Sequence, residues 1–200
     1  MIIEEHLTIP FWMTILIIIF KFGIAISLSM LVSKQIKEEK HFRLTFIFAM
    51  TIFCFALGLS RISYFIFDFY MTKLEPDLFF IEPNIWFWKF GNLFTSLGGI
   101  FVLYTIDKLV YQKKLKFIPE IVLLIVALIQ FFYPVRDEAG FNTISAIGTV
   151  GSLISIIIPA TFIWLAIKSA GTVRRTSLIL GIGIIVYGVV GQLLSEPILI

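Results

Sequence analysis

Charged residues are scarce in this chain, and the groups that usually carry enzyme chemistry are scarcer still. Asp, Glu, Lys and Arg make up 14% of the 200 residues, whereas they make up about 25% of a typical soluble domain. There is one cysteine, Cys54, so an intrachain disulfide is excluded. The sequence contains no zinc-binding, nucleotide-binding or serine-hydrolase motif. We therefore predict no cofactor and no enzymatic activity.

Hydrophobic residues are correspondingly frequent, and they are arranged in long runs. They make up 59% of the chain, and the mean hydropathy is +1.01. Several runs reach the ~20 residues that an α-helix needs to cross the hydrocarbon core of a bilayer. The sequence therefore predicts an all-α integral membrane bundle that forms a single membrane domain over residues 1–200.

The runs predict six transmembrane helices, at about residues 11–33, 44–70, 84–110, 117–133, 143–168 and 176–195. The second is longer than a bilayer requires, so its last turns should project from the membrane. The fourth is apolar on every face except at Gln130, and we expect it to be the most lipid-exposed span. Pro159 predicts a kink in the fifth. A six-helix protein and a seven-helix fold that lacks its last helix are both compatible with the pattern.

Basic residues are distributed unevenly between the loops. Eleven Lys and Arg lie near the loops after the first, third and fifth predicted helices: Lys34, Lys37, Lys40, Arg43, Lys108, Lys113, Lys114, Lys116, Lys168, Arg174 and Arg175. The opposite loops have Lys73 and Arg136. Because loops rich in Lys and Arg stay on the cytoplasmic side, we predict a multi-pass protein of the cell membrane with its N-terminus outside. This distribution also accounts for the net charge of +3 without a nucleic-acid partner.

Three cations interrupt the apolar runs: Lys21 near the middle of the first helix, Arg61 in the second and Lys89 in the third. A charge at the bilayer midplane costs at least ~2.5–3.5 kcal/mol on insertion scales, so each cation should have a partner or a role. Internal salt bridges to Asp68, Glu82 or Glu196 are one interpretation. The other is a cavity that opens to the outside and suits an acidic small molecule or a lipid headgroup.

The predicted ligand-binding residues are polar positions that helical periodicity places on shared faces: Lys21, Arg61, Tyr64, Asp68, Lys89, Asn92, Ser96 and Gln192. In this interpretation Arg61 offers a bidentate fork to a carboxylate or phosphate. Tyr64 and the amide and hydroxyl side chains orient the ligand, and Asp68 or Glu196 is a partial counter-charge. We expect Arg61 and Lys89 to turn toward one cavity in the outer half of the bundle.

A few segments carry a resemblance: WFWKFG at residues 86–91, Pro159, and GTVRR at residues 171–175. In these and in its layout the chain resembles archaeal-type prokaryotic membrane proteins of unknown function. It is also similar to the seven-helix membrane sensor modules of histidine kinases. The resemblance implies a sensing role with a protein partner for output. Retinal is disfavoured because Lys21 lies in the first helix, whereas the Schiff-base lysine of rhodopsins lies in the last.

Three functions remain open at this point. A membrane-embedded module that senses or binds a ligand best explains the cation-rich polar positions. A small transporter, or a subunit of one, is the alternative, and internal repeats or broken helices at the midplane would favour it. A structural subunit of a larger membrane complex is the third.

Overall fold

The computed structural model describes residues 8–39 and 45–193, and within these ranges all regular structure is helical. Side chains are described except at residues 39, 172 and 187–193. The α-helices, in chain order from α1 to α7, are Thr8–Glu39, Phe46–Phe65, Asn84–Leu109, Ile118–Phe132, Glu138–Ser155, Ile157–Lys168 and Gly171–Leu193. A π-helical segment, Ile66–Met71, extends α2, and a short 3₁₀ turn, Pro76–Leu78, lies in the following loop. The predicted all-α class is confirmed for the described residues.

Three helical stretches are long and apolar enough to cross a membrane: Thr8–Glu38, Phe46–Met71 and Glu138–Lys168. The helix Ile118–Phe132 is apolar but shorter. The helix α3 is long enough, but Lys89, Asn92 and Asp107 lower its hydropathy. These findings are compatible with a membrane protein, and they leave the six-span count as a prediction.

The fifth predicted helix is two helices in the structure. The first, α5, ends at Ser155, and α6 begins at Ile157, so Pro159 lies in the first turn of α6. Proline has no N–H to donate, but N–H groups in the first turn of a helix have no acceptor within that helix. The chain therefore breaks just before Pro159, where the missing hydrogen bond costs least.

The described chain packs as two compact units that divide between Gly151 and Ser152. In the first unit α2 packs between α1 and α3, and α3 also packs against α4. In the second unit α6 packs against α7. Gly181 allows that approach, because an ideal Cβ built there would lie 3.1 Å from Cγ1 of Ile163. Small residues at such positions are typical of helix pairs in membranes.

One side of the helix α4 is exposed, but α4 is not the most exposed helix. Leu124 and Leu128 are 41% and 44% exposed, as expected for residues that face lipid. Its other side is buried, however, and α1 has fewer buried residues over twice the length. The prediction failed because Glu120 was not counted within this helix. Glu120 and Gln130 lie on the buried side, with Leu123, Val126 and Ala127 between them.

Candidate functional site

Two cations meet where α1 packs against α2. The Arg61 Nη2 donates a hydrogen bond of 3.2 Å to Oγ1 of the buried Thr14. The Arg61 Nε is buried and has no hydrogen-bond partner. Lys21 interacts electrostatically with both Arg61 and Cys54. We call Thr14, Lys21, Cys54, Arg61 and Tyr64 the Arg61 cluster. The structure thus brings together two of the cations that the sequence predicted, with an unused donor on one of them.

A glycine allows α1 and α2 to approach each other beside this cluster. An ideal Cβ on Gly58 would lie 2.9 Å from the ring of Phe22, the neighbour of Lys21. Toward the N-terminal end of α1, the ring of Phe11 packs against Phe65 and Phe69, with centroids 5.1 Å and 5.4 Å away. These ring contacts fix α1 on α2 on both sides of the cations, so the position of Lys21 relative to Arg61 is set by packing.

Tyr64 connects the Arg61 cluster to α3. Its ring lies over Gly91, where an ideal Cβ would be 2.6 Å from Cε1 of the tyrosine. Tyr64 also interacts electrostatically with both Arg61 and Asp68. Close by, the hydroxyls of Ser60 and Thr95 share a hydrogen bond of 2.7 Å between α2 and α3. Helical periodicity therefore correctly grouped Arg61, Tyr64 and Asp68.

Lys89 turns inward as predicted, but toward α4 and not toward Arg61. Its side chain is 4% exposed. The ammonium donates a hydrogen bond of 2.7 Å to the carbonyl oxygen of Tyr133, at the C-terminal end of α4. It also lies 4.7 Å from the ring centroid of Trp86. A cation at this helix end satisfies a carbonyl that has no partner within the helix. The expectation that Arg61 and Lys89 share one cavity is therefore wrong.

Among the described residues, the structure gives no interaction of the remaining predicted site residues, Asn92 and Ser96, with the Arg61 cluster. Asn92 donates from Nδ2 to the carbonyl oxygen of Trp88 in its own helix, at 3.1 Å. Ser96 is half-buried on α3. The Gln192 side chain and Glu196 lie outside the described residues. The structure therefore supports a smaller polar group than the sequence predicted, formed by α1, α2 and the facing side of α3.

A buried acidic pair at the junction of α3 and α4 was missed as a site. Asp107 is 0% exposed, and its two oxygens accept hydrogen bonds of 3.0 Å from Leu115 N and 3.1 Å from Phe117 N. Glu120 is 6% exposed, and neither of its oxygens has a hydrogen-bond partner. Helical periodicity places Asp107 on the same face of α3 as Lys89, but nothing in the sequence near Asp107 indicates that it accepts hydrogen bonds from a loop.

The loop that Asp107 holds has an unusual backbone. Four of its residues have φ between 51° and 64°: Gln112, Lys113, Lys116 and Phe117. Side-chain-bearing residues are uncommon in this left-handed region. Tertiary contacts must therefore hold the loop in place. They include the two bonds to Asp107 and the stacking of Phe117 on Tyr104, whose ring centroids are 5.6 Å apart.

Comparisons with known proteins provide no family for this chain. No protein-family model, no curated protein and no solved structure matches it. The resemblance to sensor modules therefore remains one of layout and short segments.

Proposed function

We propose that this protein is a multi-pass protein of the cell membrane, with six spans and its N-terminus outside. The three stretches that are long and apolar enough to cross a membrane support this proposal. The loop between α3 and α4 supports the orientation, because Lys113, Lys114 and Lys116 are all exposed there. The loop that follows α2 exposes Glu75, Asp77 and Glu82, as expected of the opposite side.

The orientation can be tested by thiol labelling in intact cells. Cys54→Ala removes the native thiol, and Glu75→Cys or Lys113→Cys adds one at an exposed loop position. An impermeant maleimide should label Glu75→Cys in intact cells, and Lys113→Cys only after permeabilisation. Labelling of Lys113→Cys but not Glu75→Cys in intact cells would overturn the orientation.

Within this topology we propose a module that binds or senses an acidic ligand at the Arg61 cluster. The observation that carries the proposal is the buried Nε of Arg61, which has no hydrogen-bond partner although Lys21 adds a second positive charge nearby. A buried donor without an acceptor is costly, and two neighbouring cations repel each other. A carboxylate or phosphate would relieve both costs, because it accepts from the guanidinium and neutralises the charge.

Asp68 is the acid that we propose as the competitor of such a ligand, because Asp68 and Arg61 both interact electrostatically with Tyr64. If Asp68 only balances Arg61, then Arg61→Leu with Asp68→Asn removes both charges and should change stability little. If the cluster binds an anion, the same double variant should fold normally and lose binding. This comparison separates a structural ion pair from a binding site.

Binding can be tested on the purified protein with three simple anions: inorganic phosphate, succinate and glycerol phosphate. Saturating ligand at ~100 times Kd stabilises a protein by about 2.7 kcal/mol, so at least one anion should raise the Tm clearly. Arg61→Gln and Lys21→Gln should lose that rise. Lys73→Gln, which removes an exposed cation from a loop, should keep it. Equal responses from the wild type and Arg61→Gln would contradict the proposal.

A transporter is the second candidate, and one observation favours it. The span-length stretch Glu138–Lys168 is interrupted between Ser155 and Ile157. Broken helices expose backbone groups and are common at the substrate and ion sites of transporters. Uptake of the bound anion into proteoliposomes would distinguish a transporter from a sensing module.

A further inference from the structure

The inner half of α1 forms one wall of an open groove, which is separate from the Arg61 cluster. The groove has a volume of about 520 Å³, and we call it the inner groove. Its lining residues come from successive turns of α1 and one position of α2: Ile26, Ser29, Met30, Ser33, Lys34, Lys37 and Phe55. From residue 26 to residue 37 the helix rises by about 16 Å. The groove is thus long and narrow, and it follows the helix axis.

The groove changes character along its length. One end is formed by Ile26, Met30 and Phe55, and the other by Lys34 and Lys37. At the middle, the Ser29 hydroxyl donates to the carbonyl oxygen of Ala25 at 2.8 Å, so this group is already satisfied by its own helix. The charge that the groove offers a ligand is therefore concentrated at the lysine end.

The side chains of the apolar end are not covered by other described parts of the protein. Met30 is 68% exposed and Ile26 is 50% exposed, although Ala25 next to them is completely buried. The tight contact of α1 with α2 at Phe22 and Gly58 lies just before this point. Beyond this contact, α1 and α2 leave a space between them that other described parts of the protein do not cover.

We infer that the inner groove binds one molecule of an anionic phospholipid. The acyl chain would lie along Ile26, Met30 and Phe55, and the phosphate would lie between the ammonium groups of Lys34 and Lys37. The inference rests on the proposed orientation, which places the lysine end at the cytoplasmic surface. A groove that is apolar inside the bilayer and basic at its surface matches the two ends of such a lipid.

The lysines remain available for this role. A salt bridge among the described residues joins Lys34 Nζ to Glu38 Oε1 at 3.9 Å, and both side chains are largely exposed. Exposed pairs at this distance contribute little stability, so a phosphate can displace the carboxylate. Glu38 should still weaken phosphate binding, because it places a negative charge beside the same ammonium group.

The lipid can be tested with the purified protein in detergent, to which dioleoyl-phosphatidylglycerol or dioleoyl-phosphatidylcholine is added. Native mass spectrometry counts the retained lipids, and a titration gives the apparent affinity. We expect the wild type to retain one phosphatidylglycerol in preference to phosphatidylcholine. Lys34→Gln with Lys37→Gln should weaken that binding about 30-fold, which is the effect of two lysines near an anionic surface.

Three further variants make the test specific. Lys113→Gln with Lys114→Gln makes the same charge change in another exposed basic loop, and it should leave the affinity unchanged. Ser33→Trp should fill the groove and block binding without changing any charge. Glu38→Gln should tighten binding, which a purely structural role of Lys34 does not predict. Each variant should keep the Tm of the wild type without lipid, which confirms that it is folded.

Several results would contradict the inference. Equal retention of the two lipids by the wild type would show that the groove does not recognise charge. An equal loss of affinity in Lys113→Gln with Lys114→Gln would show a general charge effect. A dimer that Ser33→Trp disrupts would show that a second copy of the chain covers the groove. None of these results bears on anion binding at the Arg61 cluster, which the Arg61→Gln variant tests separately.

Discussion

Asp107→Ala is expected to lower the free energy of unfolding by about 2–6 kcal/mol, since it removes the acceptor of two part-buried amides and each such loss costs ~1–3 kcal/mol. The carboxylate accepts from Leu115 N and Phe117 N, and both bonds are within 3.1 Å. The same bonds hold a loop whose backbone is in the left-handed region at several residues. Loss of the acceptors should therefore release the loop and expose the start of α4.

Graded substitutions make this prediction sharper. Asp107→Asn keeps one carbonyl oxygen, so it should cost less than Asp107→Ala but still leave one amide unsatisfied. Asp77→Ala is the matched control, because Asp77 is exposed in the 3₁₀ turn after α2. The free energy of unfolding can be measured by reversible SDS titration in mixed micelles. If Asp107→Ala were as stable as Asp77→Ala, the loop would not depend on this carboxylate.

Gly98→Ala should cost about 1–3 kcal/mol of unfolding free energy, because the added methyl group overpacks the contact between α2 and α3. An ideal Cβ at Gly98 would lie 2.8 Å from the Ala56 Cβ and 3.0 Å from Cδ2 of Phe53. It would also lie 3.4 Å from the Cα of Phe53, and a backbone atom cannot rotate away. The two helices would have to separate, and with them Tyr64 and Ser60 would move away from α3.

Gly23→Ala is the control, because this glycine is also inside a helix but has no other group within 4 Å of an ideal Cβ. Alanine is a better helix former than glycine by up to ~1 kcal/mol, so this variant should be as stable as the wild type or more so. The same SDS titration measures both. If the two variants had equal stability, α2 and α3 would not pack through Gly98 in the membrane.

Much of the helical pattern could be predicted because few backbone structures are stable for an apolar run in a bilayer. Every buried N–H and C=O needs a partner in the segment itself, so a long apolar run becomes a helix. The fourth predicted helix, at residues 117–133, agrees with Ile118–Phe132 within one residue at each end. The first was predicted too short, because the polar residues after Ser33 continue the helix to Glu39. Lysine and glutamate are good helix formers, so polarity alone does not end a helix.

The candidate site was predictable only within one helix at a time. The spacing of Arg61, Tyr64 and Asp68 placed them together, and the structure agrees. The partner of Lys89 is a backbone carbonyl of Tyr133, 44 residues away. Such an acceptor cannot be recognised in a sequence, because every residue has one. The role of Asp107 could not be predicted for the same reason, since its carboxylate accepts hydrogen bonds from backbone amides.

Composition and periodicity thus decide that the chain is helical and apolar, and which side chains share a face of each helix. They do not decide which face meets which neighbour, because lipid is as apolar as leucine and hydrophobicity alone does not orient a helix in a bilayer. Tertiary packing decides that, through close approaches at Gly58, Gly91 and Gly98. The contact at Gly58 places Lys21 near Arg61, and beyond it the inner groove beside α1 is open. Such contacts between helices depend on how the side chains of two helices fit together, and the sequence of one helix does not contain that information.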